Sequence, residues 1–101
     1  MTMNTELEIF EIISHGGDAR GYAYEALKQA RENNMEEAEE LLIKAQEELD
    51  LAHNTQTKLI QAELNGDNLK MSLLMVHAQD HLMNSLLARE FSEELIHLYQ
   101  R

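Results

Sequence analysis

At 101 residues the sequence has room for a single domain, residues 1–101, and its lack of cysteine excludes disulfide and thiolate chemistry. The absence of proline, with four glycines, three tyrosines and two phenylalanines, argues against a turn-rich sandwich or barrel and for long helices around Leu, Ile, Met and Ala. A net charge of −11, from 19 acids against 8 bases, opposes association with phosphate backbones or anionic lipid, so neither nucleic acid nor direct membrane contact is expected.

The N-terminal stretch MTMNTELEIFEI has neither the basic start nor the long apolar run of a signal peptide. No later stretch reaches the apolar length of a membrane span, and the sequence reads as cytoplasmic. The first helix is predicted over about 5–31. Leu7, Phe10, Ile13, Gly17, Tyr24, Leu27 and Arg31 form one stripe at helical spacing. Ile9, Ile12, Gly16, Ala19, Ala23, Ala26 and Ala30 form a second, mostly small one that would let another helix come close. Glycine disfavours a helix interior by about 1 kcal/mol relative to alanine, so Gly16-Gly17 should mark a bend or a tight contact.

Asn33-Asn34 interrupts the pattern, and Asn34 with Glu37 three residues on has the form of a capping box. A second helix is predicted over about 35–64. Its seam, Ala38, Leu42, Ala45, Leu49, Ala52, Gln56 and Leu59, alternates steps of four and three, with Gln56 as its polar break. The turn signal Asn65-Gly66-Asp67-Asn68 leads into a third helix over about 69–99. Three helices of this length with short connections make an all-α, antiparallel three-helix bundle.

The third helix is overloaded. Leu74, His77, Asp80, His81, Asn84, Leu87, Phe91, Leu95 and Leu98 follow one side, and Met71, Met75, Leu82, Met83 and Leu86 the other. From Arg89 that other side becomes Arg89, Glu90, Glu93 and His97, a solvated face. A surface helix of a monomer needs one apolar stripe. Two imply two buried contacts, one with the chain's own core and one with further copies of the chain.

The polar groups within this helix admit three readings. The first is a structural polar patch that fixes register, as a buried Asn does in coiled coils. In that case the protein is a non-catalytic oligomeric scaffold. The second is a metal-dependent hydrolase, since HAQDH at 77–81 has the two-histidine spacing of zinc proteases. Against it, Ala78 stands where that signature has its basic glutamate, Asp80 is short for the inverted form, and a third ligand motif is not evident. The third is phosphoryl chemistry on histidine: a neutral imidazole is a competent nucleophile near neutral pH, and His81, one turn after His77, could support the transferred group.

GGDAR at 16–20, AHNTQTKLIQAE at 52–63 and above all MVHAQDHLM at 75–83 give the sequence a specific resemblance. Over about residues 6–99 it resembles the enzyme IIA component of the lactose/cellobiose class of the bacterial sugar phosphotransferase system. The resemblance implies a three-helix bundle assembled as a homotrimer. It places the phosphorylated histidine at His77, charged by phospho-HPr and discharged to a cysteine of enzyme IIB. It places a metal-binding aspartate at Asp80, shared by three subunits around one ion, usually Mg2+. Physical chemistry supports that last point, because three converging carboxylates repel unless a cation compensates them. His81 is expected to position the phosphoryl group, Gln79 to pack, His53 to make a structural hydrogen bond, and His15 and His97 to be ordinary helix residues. Ala78 after the histidine favours the cellobiose, chitobiose or lichenan branch over the lactose branch.

Overall fold

A computed structural model describes residues 5–101. Within them the chain forms three helices and no strand: α1 spans Glu6–Arg31, α2 Met35–Leu64 and α3 Leu73–Tyr99. The molecule is a rod of 53 × 21 × 17 Å. Among the described residues no helix is long and apolar enough to cross a membrane.

The helix ends explain why the elements stop where they do. After α1, Asn33 takes the left-handed conformation at φ 67°. The Asn34 N–H then donates to the Gln29 carbonyl at 2.8 Å and the Asn33 N–H to that of Ala30 at 3.0 Å. This is a Schellman closure with asparagine in the place glycine usually takes. The expected Asn34–Glu37 capping box does not form. The Asn34 side chain turns back instead and its Nδ2 donates to Gln29 Oε1 at 2.9 Å, so it reinforces the end of α1 rather than the start of α2. Gly66, at φ +95°, closes α2 in the same way, with the Asp67 N–H donating to the Ala62 carbonyl at 3.0 Å.

The third helix starts at Leu73, four residues later than the turn signal suggests. Ser72 is the reason: its Oγ accepts from the Met75 N–H at 3.1 Å, while its backbone is extended. Leu69 stays outside the helix but still packs on the core. Replacing Ser72 with alanine is expected to cost about 1 kcal/mol of stability and lower the melting temperature by roughly 5 °C, read by circular dichroism. An unchanged melting temperature would mean that the cap holds nothing.

Burial follows the predicted stripes closely. The small stripe of α1, from Ile9 through Gly16 to Ala30, is buried along its length. The α2 seam is buried too, with Leu41 and Thr55 added and Gln56 only half covered. Contacts of α1 with α2 run in opposite order: Thr55 Oγ1 donates to Glu11 Oε2 at 3.2 Å, and further along α1 His15 Nδ1 meets Glu48 Oε2. Contacts of α1 with α3 rise together, from Ile9 and Met75 in one cluster to Ala30 and Ile96 in another.

One part of α3 departs from expectation. Arg89 is not on a solvated face; only 14% of its side chain is exposed. Its guanidinium reaches the Leu42 carbonyl on α2 at 3.5 Å and Glu93 one turn on at 3.3 Å. The long arginine stem covers apolar surface while its head finds oxygen, which a helical wheel does not reveal.

Candidate functional site

The polar groups of α3 are brought together by helical spacing. His77 is exposed, and His81 is half-buried one turn later. Their rings stack, with centroids 6.0 Å apart and planes 16° from parallel. The His77 ring makes no hydrogen bond among the described residues.

His81 is held from the other side by α1. A methyl group at Gly16 would sit 3.3 Å from His81 Cδ2, and one at Gly17 would sit 3.4 Å from His81 Nε2. The glycine pair is therefore the tight contact its sequence suggested, and its partner is an imidazole. Helix α1 runs through both glycines without interruption. The Ser85 hydroxyl donates to the His81 carbonyl at 2.8 Å, a bond within α3.

Asp80 is exposed, and its Oδ2 accepts from Asn84 Nδ2 at 3.2 Å. Its carboxylate is the hard oxygen donor that Mg2+ takes. Among the described residues no three His, Asp or Glu side chains gather as a ligand set.

Gln79 points away from this group. Gln56 Nε2 donates to Gln79 Oε1 at 2.7 Å, and Gln79 Nε2 in turn lies 3.5 Å from Met75 Sδ. The polar break in the α2 seam is thereby explained: it ties α2 to the helix that carries His77. Beside it, Leu59, Ile60, Met71, Met75 and Gln79 line an apolar groove of about 170 Å³. Met75 and Leu82 are buried in the core and Leu86 partly so, while Met71 and Met83 stay exposed.

The remaining histidines lie elsewhere. His15 bridges to Glu48, which fastens α1 to α2. His53 is exposed at a groove between α2 and α3 and makes no hydrogen bond among the described residues, contrary to the structural bond expected of it. His97 is exposed on α3.

The first stripe of α3 is open in the single chain. Leu87, Phe91, Leu95 and Leu98 are 44–60% exposed, and Tyr24 of α1 adds to them at 55%. Tyr24, Leu87, Phe91 and Leu95, with Arg20 and Asn84, line a groove of about 380 Å³ between α1 and α3. Asp80 and Asn84 lie on the same exposed stripe as the apolar residues.

Comparison with known proteins identifies the family. Residues 7–100 match the family described as "PTS system, Lactose/Cellobiose specific IIA subunit". The chain belongs to this family. The lichenan-specific phosphotransferase enzyme IIA component of Bacillus subtilis is 50% identical over 101 residues, covering 98% of this chain and 92% of that protein. Among solved structures, the cellobiose-specific enzyme IIA of Bacillus anthracis superposes with a TM-score of 0.94 at 43% identity, covering 99% of this chain and 92% of that one. The chitobiose IIA of Escherichia coli, solved in complex with HPr, gives 0.82 at 41% identity, covering 98% and 96%.

Within this IIA chain, sequence reasoning brought His77, Asp80 and His81 to one helix. It left open which residue would face Gly16-Gly17. The signal that could have supplied the answer is the pairing of two costly glycines on one helix with a bulky half-polar residue on another.

Proposed function

We propose that this IIA chain is a cytoplasmic phosphocarrier that accepts a phosphoryl group from phospho-HPr on His77 and passes it to a cysteine of enzyme IIB. The observation that carries this reading is the exposed His77 ring, stacked on a half-buried His81, in a chain of the IIA family. HPr as donor is supported by the solved complex of the chitobiose IIA relative with HPr. The lichenan, cellobiose and chitobiose names of similar proteins support a β-disaccharide of that type as the sugar finally phosphorylated. The sugar would not touch this component.

In the first transfer a neutral His77 ring nitrogen attacks phosphorus. A new P–N bond forms as the P–N bond of the donor histidine breaks, and the electron pair returns to the donor ring. In the second, the thiolate of enzyme IIB forms a P–S bond while the His77 P–N bond breaks. This chain contributes a nucleophile at the surface and a neighbouring ring to orient it, so catalysis rests on positioning. His81, set between His77 and α1, has the place from which to steady the phosphorylated ring.

The working assembly in this reading is a homotrimer of antiparallel three-helix bundles, closed through the exposed stripe of α3. Asp80 from each subunit would hold a shared Mg2+, which supplies charge compensation among the carboxylates. The apolar groove lined by Met71 and Met75 gives a partner protein a soft surface beside Gln79.

Incubation with phosphoenolpyruvate, enzyme I and HPr tests the function. One acid-labile phosphoryl group per chain is expected by intact-mass measurement. No uptake would overturn the carrier and favour a non-catalytic scaffold.

A further inference from the structure

We propose that Gly16 and Gly17 are positioning residues for phosphoryl transfer: by withholding side chains from α1 they let the His81 ring seat against that helix, and the seated ring fixes the His77 imidazole. This rests on the reading of His77 as the phosphoryl acceptor.

The backbone does not call for glycine at either position. Both lie inside the 26-residue α1, and neither has positive φ, unlike Gly66. Alanine is the better helix former, so something other than conformation must favour glycine here. That something is space. Gly16 is buried, and a methyl on it would meet His81 Cδ2 at 3.3 Å, Ser85 Oγ at 3.6 Å and His81 Nε2 at 3.7 Å. A methyl on Gly17 would meet only His81 Nε2, at 3.4 Å. Both glycines thus clear room for the same ring. Gly21 on the same helix is a built-in contrast, because a methyl there meets nothing within 4 Å.

The His81 ring has α1 on one side and the His77 ring on the other. A methyl on Gly16 would require the ring to give by a few tenths of an ångström, a methyl on Gly17 would bear on the same ring, and the ring stacked on it is that of His77. His77 is exposed and has no hydrogen bond among the described residues, so its stack on His81 is what orients it. A reacting group misplaced by about 1 Å loses on the order of a hundredfold in rate.

The test compares Gly16→Ala/Gly17→Ala, Gly21→Ala and wild type, each with His81 present and with His81→Ala. With His81 present, the double glycine variant should accept phosphoryl from phospho-HPr about tenfold more slowly. Gly21→Ala should match wild type. Gly21→Ala should not melt below wild type, since alanine is favoured in helices, and the double glycine variant should stay folded by circular dichroism, its helix gain set against the contact with His81. The His77 imidazole signals in NMR should move in the double glycine variant. In the His81→Ala background the same two glycine changes should leave the rate unaltered. An equal slowing with and without His81, no slowing at all, or unmoved His77 signals would overturn the proposal. If wild type itself took up no phosphoryl group, the assignment of function would fall, and the imidazole signals would still decide whether the glycines place the ring.

Discussion

His77→Ala is expected to abolish phosphoryl uptake, a loss of at least ~10³-fold, while helicity and melting temperature stay at wild-type values. The two halves of this expectation come from the same observation. The His77 ring is exposed and stacks on His81 with no hydrogen bond among the described residues, so its removal takes little from the fold; surface changes of this kind fall within about 0.5 kcal/mol. Chemistry is another matter, because no other group can form the P–N bond from that place. His81 is half-buried against α1, and His15 and His53 lie on other faces. Intact-mass measurement after incubation with phosphoenolpyruvate, enzyme I and HPr provides the readout. Label still entering His77→Ala would move the acceptor to another histidine. His81→Ala, by contrast, should slow uptake without ending it, which separates the two roles.

If the chain assembles as the proposed trimer, Phe91→Asp is expected to yield a monomer of 11.7 kDa, read by sedimentation equilibrium. Phe91 is 60% exposed in the single chain, in line with Leu87, Leu95 and Leu98. Covering such a ring contributes roughly 2 kcal/mol, and an unpaired carboxylate in its place adds a desolvation cost of several more. In the proposed trimer the effect would be repeated in each subunit, so association should weaken by orders of magnitude. Helicity should change little, because the core lies on the opposite side of α3, at Met75, Ala78, Leu82 and Ile96. Asp80→Leu should act in the reverse sense. It replaces a carboxylate on the same stripe by an apolar side chain, so the proposed trimer should persist in a chelator that would remove the proposed Mg2+. A wild-type protein that sediments as a monomer would overturn the assembly, and a trimer that survives Phe91→Asp would move the interface off this stripe.

The parts of the fold that depend on periodicity were legible in the sequence. The buried residues of α1 are those of its small stripe, and the α2 seam is buried apart from Gln56, its polar break. Where local chemistry competes, legibility fell. Asn34 could cap α2 or bond back to Gln29, and a three-residue spacing to Glu37 does not decide between them. Likewise Asn68 and Ser72 are both reasonable starts for α3, and only the Ser72 hydroxyl makes the bond. Arg89 shows a further limit, since a charged residue on a wheel looks solvated until its reach to the Leu42 carbonyl is known. The candidate site was readable as a list of residues on one helix. Its geometry was not, because the room for His81 is made by α1, at the opposite end of the sequence.

That distance along the chain has a consequence for how the protein is made. A ribosome releases Gly16 and Gly17 long before it releases His81, and the first two helices can pair through Glu11 with Thr55 and His15 with Glu48 in the meantime. Throughout that interval α1 carries an unfilled notch at its glycine pair. Contacts between remote segments close late in folding, because the intervening chain must be ordered first. The imidazole pair is therefore among the last features to form, and a nascent or truncated chain can be largely helical while still unable to take charge.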